Sequence, residues 1–452
     1  MIKRETAPLP SALVPFEIPE IKLIKATGGL EVYYVQKEKL PIIQAIFISS
    51  AGSIYDPEGK NGLAFLTSLL IDEGAAEYDA LQLNNELEKL GTITGISISH
   101  DAFTFSILSL KEHFERSFEL ISKIILEPRF EENDFNREKK KTLDKILQLK
   151  DEPSYIANSA FEKRIFAGTN YSNPEIGFEE SVKSIANGEI KDFYRNEFLR
   201  SDLKIILTGN ITGDEILNLI NRYLSAWNFD NQLRRQKLFS PAVLPGLYIV
   251  DKKESAQSEI RVGNLIKNRN SEDYHAARLM NTILGGQFSS RINLNLREKR
   301  GYTYGAGSAL NYNKESGYFE ISTAVNIDNS ADAVVEILNE MKLIRENITQ
   351  AEIEFARSYL IKQFPSRFET YTQIARNISP LILHNLPIDY YHHYQSMIEN
   401  VKEEEILKAA KEYVLPEKSV ILITGDKEKI VRQLGSKLDM EPSELDIYGN
   451  PV

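Results

Sequence analysis

Residues 203–220, LKIILTGNITGDEILNLI, and 419–434, SVILITGDKEKIVRQL, follow one plan. Each opens with a β-branched, apolar run that reads as a buried strand and closes it on Thr–Gly. Each then continues with apolar positions at helical spacing. A strand, a glycine and an amphipathic helix recurring after about 200 residues is too long a period for a solenoid, and it points to two homologous halves.

Outward from these echoes, each half repeats an order of elements. In the first, strands are expected at 30–36 and 42–49, broken by KEKLP. A turn-rich loop containing Asp56, Pro57 and Gly59 then leads into GLAFLTSLLI, a buried helix. An amphipathic helix at 80–90, two strands within 93–110 around His100–Asp101, and helices at 111–126 and 131–150 follow. In the second half, strands are expected at 247–250 and 258–265, helical stretches at 271–285 and 287–300, and two strands within 302–325. Helices at 328–346 and 349–363 come next. Residues 228–246, polar and then carrying Pro241, Pro245 and Gly246, read as a linker. The expected fold class is α+β, with homologous domains at 1–227 and 247–452, each a mostly antiparallel sheet covered by helices.

Composition agrees with this and removes several functions. A chain of 452 residues exceeds one ordinary core. The 42% hydrophobic and 26% charged content is that of a soluble globular protein. A net charge of −11 without a Lys/Arg run disfavours nucleic acid and anionic membranes as partners. No stretch approaches the ~18 apolar residues of a membrane span. With no cysteine, disulfides and thiolate metal sites are excluded and the compartment stays open. The start, MIKRETAPLPSALVPFEIPEI, has no apolar segment of a signal peptide. Its reading is cytoplasmic if native, and periplasmic if a leader has been removed.

The residues that carry chemistry are few. None of the six histidines (His100, His113, His275, His384, His392, His393) forms an HxxEH, HExxH or HxxH pair, the spacings that bring two imidazoles to one helical face. His392–His393 lies among Tyr390, Tyr391 and Tyr394. Adjacent helical residues face different ways, so a core or interfacial role is expected there rather than a metal site. No GxSxG elbow and no cysteine nucleophile exist, and Gly305–Ala306–Gly307 lacks the spacing of a dinucleotide loop.

Two long segments are more specific. Residues 28–75, GGLEVYYVQKEKLPIIQAIFISSAGSIYDPEGKNGLAFLTSLLIDEGA, resemble the opening of an M16 (pitrilysin/insulinase-like) metallopeptidase, with its strand hairpin, AGS turn and GLA at the start of the catalytic helix. Residues 283–308, ILGGQFSSRINLNLREKRGYTYGAGS, resemble the matching piece of that family's second half. The resemblance extends from about residue 20 to 435.

Active members carry HxxEH on the helix after GLA, with a further glutamate ligand on a later helix. The corresponding positions here are Phe65, Ser68, Leu69 and Lys145. Phe65 and Leu69 share a helical face but bind no metal, Ser68 is no base at neutral pH, and an ammonium at 145 repels a cation. The resemblance therefore implies no cofactor on this chain. It also places the family's peptide-pairing edge strand at 93–99, where Gly95–Ile96 replaces an asparagine–alanine pair. In the second half the family's arginine and tyrosine, which hold substrate and stabilise the oxyanion, match Arg297 and Tyr304. By residue type alone these read as a solvated helix end and an ordinary strand aromatic. Within the matched segment they read as substrate-binding residues, with Tyr304 acting on the reaction in trans.

The function so implied is the non-zinc subunit of a heterodimeric M16 peptidase, binding peptide beside a partner that holds zinc in HxxEH, with a homodimer in isolation as a variant. The alternative is an inactive peptide-binding or scaffold protein of the same fold. A third possibility, a different metal site using His384 or His392, is open to metal analysis.

Overall fold

The computed structural model describes residues 16–227, 240–435 and 437–452. In the first half, strands β1 (Lys22–Lys25), β2 (Glu31–Gln36), β3 (Ile42–Ser49), β4 (Ile93–Ile98), β5 (Phe103–Leu110) and β6 (Leu203–Gly209) form one sheet, ordered β1-β2-β6-β3-β5-β4. In the second, β7 (Gly246–Asp251), β8 (Gln257–Ile266), β9 (Thr303–Tyr312), β10 (Gly317–Asn326), β11 (Val420–Gly425) and β12 (Ser443–Leu445) are ordered β12-β7-β11-β8-β10-β9. The two echo strands hold equivalent places. β6 lies between β2 and β3, parallel to the first and antiparallel to the second. β11 stands in the same relation to β7 and β8. Antiparallel pairs predominate in both sheets, as expected.

Both faces of these central strands are buried, which is why they read as continuous apolar runs rather than as alternation. In β3, Ile43, Ala45 and Phe47 pack into the first half's own core, whereas Ile46 and Ile48 face the opposite side with Val35 and Ile206. In β11, Ile421 and Ile423 face one core and Val420 and Leu422 another.

The helices of the first half include α1 (Leu63–Leu70), α2 (Ala80–Lys89), α3 (Lys111–Leu126), α4 (Glu132–Leu149) and α5 (Pro153–Ile165). Most cover the sheet of their own half, but α5 does not. It packs on β8 and β11 of the second sheet, through Ile156, Ala157, Ala160 and Phe161 against Val250, Val420 and Leu422. In return, the helix Tyr371–Leu383 of the second half packs on β3 and β6 of the first sheet. There the Tyr371 hydroxyl donates to the Lys37 carbonyl (3.2 Å) and accepts from the Leu40 amide (3.0 Å), and Thr372 donates to Gln44 (2.8 Å). Each half thus lends one helix to the outer face of the other's sheet.

Several expectations shift at their edges. Residues 287–290 are not helical; the short helix begins at Arg291 and widens into a π-helical turn at Leu294–Lys299. The helix after β6 spans Gly213–Tyr223, whereas the sequence DEILNLINRYLSAW reads as helical to Trp227. Of the expected linker, 228–239 lie outside the described residues. Residues 240–245 run irregularly along the end of α5, where Ala242 and Leu244 donate to the carbonyls of Ala167 and Arg164. No helix among the described residues is long and apolar enough to cross a membrane.

Candidate functional site

The helix α1 is set by its N-terminal turn. Gly62 adopts φ +96°, and a Cβ there would meet the Ile176 carbonyl oxygen at 2.6 Å, so only glycine fits. The buried Asp56 carboxylate accepts from the Gly62 and Ala64 amides, both at 2.8 Å, and so satisfies two of the amides that a helix start leaves unpaired. Asp56→Ala is expected to cost about 2–4 kcal/mol in denaturant unfolding, from two lost charge-assisted hydrogen bonds.

This well-capped helix presents no metal-binding chemistry. Phe65 and Leu69 are half-buried, and the Ser68 hydroxyl donates back to the Phe65 carbonyl at 2.7 Å. Lys145 is exposed on α4, which packs beside α1. Nearby carboxylates are already engaged: Glu138 accepts from Arg137 (3.0 Å) and Lys141 (2.8 Å), and Glu73 pairs with Arg137 (2.6 Å). Burial, with the charges of Glu73 and Glu138 close by, pushes Asp72 up to about 6. Among the described residues no three His, Cys, Asp or Glu side chains converge as a metal site. The donor set does not fit zinc.

The candidate pair of the second half is built differently. Arg297 lies on the Leu294–Lys299 turn and Tyr304 on β9, and the two segments pack together. Tyr304 is 92% exposed, which is unusual for a strand aromatic. The cause is a bulge. Thr323 pairs with Ala306 and Val325 with Thr303, so Tyr304 and Gly305 together oppose Ala324. The extra residue turns the tyrosine out of the ladder. Two threonines pin this geometry: Thr303 donates to the Ala324 carbonyl (2.6 Å) and accepts from the Gly305 amide (3.0 Å), and Thr323 donates to the Gly305 carbonyl (3.0 Å). Among the described residues the Tyr304 hydroxyl has no partner.

Three arginines sit on this segment, and two are tied down. Arg291 forms a two-pronged pair with Glu352 (2.6 and 2.8 Å), and Arg300 reaches Glu336 (2.7 Å). Arg297 has a loose contact with Glu298 (3.7 Å) and lies 4.5 Å above the ring of Phe288, itself 65% exposed. Its forked donors are left available for an acceptor. The bulge and the Phe288 support were not anticipated from sequence, because both depend on pairing between strands and loops.

β4, the expected peptide-pairing strand, is an edge strand and pairs with β5 alone among the described residues. The turn after it docks inward. His100 is buried, in contact with Glu175 (3.1 Å) and the Asn173 carbonyl (2.9 Å), and Asp101 accepts from the Tyr171 hydroxyl (2.5 Å) and the Lys314 amide (2.8 Å). Burial alone would depress His100, but the pairing with Glu175 outweighs it and raises the imidazole to about 9. Its folded pKa lies above the unfolded value, so the stabilisation is complete below about pH 6.5 and lost as pH rises through about 9. Relative to His100→Gln, the protein is expected to lose stability over that interval in urea titrations.

Of the core or interfacial role expected for His392–His393, the core alternative is corrected. Both are exposed, because the helix Tyr390–Glu399 turns Tyr390, Tyr391 and Tyr394 inward and the histidines outward. It is His275 that sits among these tyrosines, stacked on Tyr390 at 5.9 Å.

The comparison with known proteins matches the two halves separately. Residues 39–177 match the model described as insulinase (peptidase family M16), and residues 184–360 that of the peptidase M16 inactive domain. The chain belongs to the M16 peptidase family. One M16 relative, a Helicobacter pylori protein called non-peptidase homolog YmxG, is 23% identical over 93% of this chain and 95% of its own length. Another, an uncharacterized zinc protease of Rickettsia bellii, is 23% identical over 74% of this chain and 81% of its own. Among solved structures, an M16 inactive domain from Pseudomonas fluorescens superimposes with TM-score 0.83 at 23% identity, covering 90% of this chain and 98% of that one. A Helicobacter pylori protease gives the same TM-score at 18% identity, covering 90% and 100%. At these identities the structural matches speak for the M16 fold of paired α+β domains.

Proposed function

We propose that this M16 chain is the non-zinc subunit of a two-chain peptidase, binding peptide and completing the active site of an HxxEH-bearing partner. The observation that carries the reading is an asymmetry between the halves. Phe65, Ser68, Leu69 and Lys145 offer zinc nothing, while Tyr304 stands 92% exposed on a pinned bulge, and Arg297, on the turn packed against that strand, has only a loose 3.7 Å contact with Glu298. A phenol held rigidly in this way suits donation to a developing oxyanion, and a guanidinium suits peptide carbonyls or carboxylates. The Lewis acid and the general base would come from the partner. The non-peptidase name of the Helicobacter relative supports a chain that does not hydrolyse by itself, and the zinc-protease names of others support the chemistry assigned to the partner. In sequence, we propose the division between the two M16 domains at 228–246.

Assembly is tested by mixing the purified chain with a zinc-bearing M16 chain from the same cell and measuring mass by light scattering. A stable one-to-one complex is expected. Two unassociated species at micromolar concentration contradict it. Metal analysis provides a separate prediction: the purified chain alone is expected to hold far less than one zinc per chain and to melt at the same temperature with and without chelator. Stoichiometric, chelator-sensitive zinc contradicts this reading.

A further inference from the structure

A cavity of about 600 Å3 opens in the second half, between the start of the helix Tyr274–Leu284 and the helix Tyr390–Glu399. Part of its wall is apolar, formed by Leu386, Pro387, Met397 and Val401. Arg269 also lines it and is 9% exposed. The guanidinium carbon lies 3.3 Å from the centre of the Tyr274 ring, and one nitrogen donates to the Tyr390 hydroxyl at 2.7 Å. Among the described residues neither Arg269 nor the neighbouring Arg278 makes an ion pair; Arg278 reaches the Tyr274 hydroxyl at 3.3 Å. Arg269 also lies 5.2 Å from the centre of the Tyr390 ring; burying a guanidinium without a counter-charge is costly, and the faces of two aromatic rings offset only part of that cost.

A second polar group, behind the same wall, lacks a partner. Because the Tyr390 hydroxyl accepts from Arg269, its own proton is free for the His275 Nε2, 3.2 Å away. Burial, with Arg269 and Arg278 close by, lowers His275 to about 4, so the ring is neutral at physiological pH, and an Nε2 that accepts from Tyr390 leaves the proton on Nδ1. That Nδ1 is buried and has no hydrogen-bond partner among the described residues. The positive field is visible on Tyr274 as well: burial would raise its hydroxyl, yet Arg278 and Arg269 draw it down. The acidic residues of the rim do not supply the missing charge. Asp273 is held by Lys267 (2.6 Å) and Tyr413 (2.7 Å), Glu405 accepts from the Lys402 amide (2.6 Å), and Glu272 is exposed.

We propose that this cavity is a binding site for a carboxylate on an apolar residue, with Arg269 as its counter-charge and the apolar wall receiving the side chain. The carboxylate is that of a free acylated amino acid or of a peptide C-terminus. The site stands apart from Arg297 and Tyr304 and does not depend on their role.

The test is isothermal titration of the intact chain with N-acetyl-leucine, N-acetyl-leucinamide, and one hexapeptide ending in leucine with its C-terminus free or amidated. Both free carboxylates are expected to bind, and both amides to bind at least roughly tenfold more weakly, the effect of losing a charge-assisted hydrogen bond. Binding of the free peptide but not of N-acetyl-leucine assigns the site to peptide ends, and the reverse assigns it to small acids. Arg269→Gln is expected to abolish the difference between acid and amide, and Arg269→Lys to retain part of it. Should Arg269→Gln not fold, the wild-type melting temperature decides, since N-acetyl-leucine raises it and the amide at equal ionic strength does not. Equal binding of acid and amide, or no binding and no shift by either acid, overturns the proposal and leaves Arg269 as a purely structural stack on Tyr274.

Discussion

Tyr304→Phe is expected to lower turnover of the two-chain peptidase about a hundredfold, the usual cost of removing one oxyanion donor. Association of the two chains should be unchanged. The substitution removes a hydroxyl that has no partner among the described residues and sits on a side chain 92% exposed, so folding is not at stake. The effect belongs in kcat rather than in KM, because the hydrogen bond strengthens only as negative charge develops on the substrate oxygen. Thr323→Val provides a graded companion: it loosens one of the bonds holding the bulge and should lower turnover by a smaller factor. Steady-state kinetics of the purified complex read both. Unchanged turnover in the Tyr304→Phe complex would remove the tyrosine from the chemistry and favour a peptide-holding or scaffold role.

The second large effect concerns folding. Residues 16–227 expressed alone are expected to be insoluble or unfolded, although they contain a complete six-stranded sheet. Without the helix Tyr371–Leu383, the face bearing Val35, Ile46, Ile48 and Ile206 is open to water, and α5 loses the sheet on which Phe161 and Ile156 pack. Apolar faces of that extent on a sheet drive association. Co-expression of 16–227 with 240–452 should restore a soluble pair, since the exchanged helices then find their sheets. A cooperative, monomeric thermal transition from the first fragment alone would show that the exchange contributes little.

The same exchange explains what was and was not legible in the sequence. Strands such as 42–49 and 203–208 declared themselves through unbroken β-branched runs, because both of their faces are buried. The Thr–Gly ending shared by β6 and β11 disclosed the duplication. At Gly209 a Cβ would lie 2.4 Å from the Ile42 carbonyl oxygen, so that position must be glycine. In segments 151–202 and 364–418 no bounded helix or strand was assigned, yet they hold the two crossed helices. Their apolar residues answer to faces in the other half, and Pro380 interrupts the pattern of Tyr371–Leu383. At the site, the loss at Phe65, Ser68, Leu69 and Lys145 was readable from residue chemistry alone. The display of Tyr304 was not, because it arises from the register of Val325 against Thr303 and from two threonine hydroxyls on different strands. For His392–His393 the core alternative failed because the helix buries Tyr390, Tyr391 and Tyr394 on one face and leaves both histidines on the other.

The central claim is that this M16 chain contributes to peptide hydrolysis only in company. The most direct measurement is cleavage of a quenched fluorescent peptide library by this chain, by a zinc-bearing M16 chain of the same cell, and by the two mixed. Cleavage by the mixture well above either chain alone, abolished by chelator, is the predicted result. Chelator-insensitive cleavage by this chain alone, or a mixture no more active than the zinc-bearing chain, would contradict it.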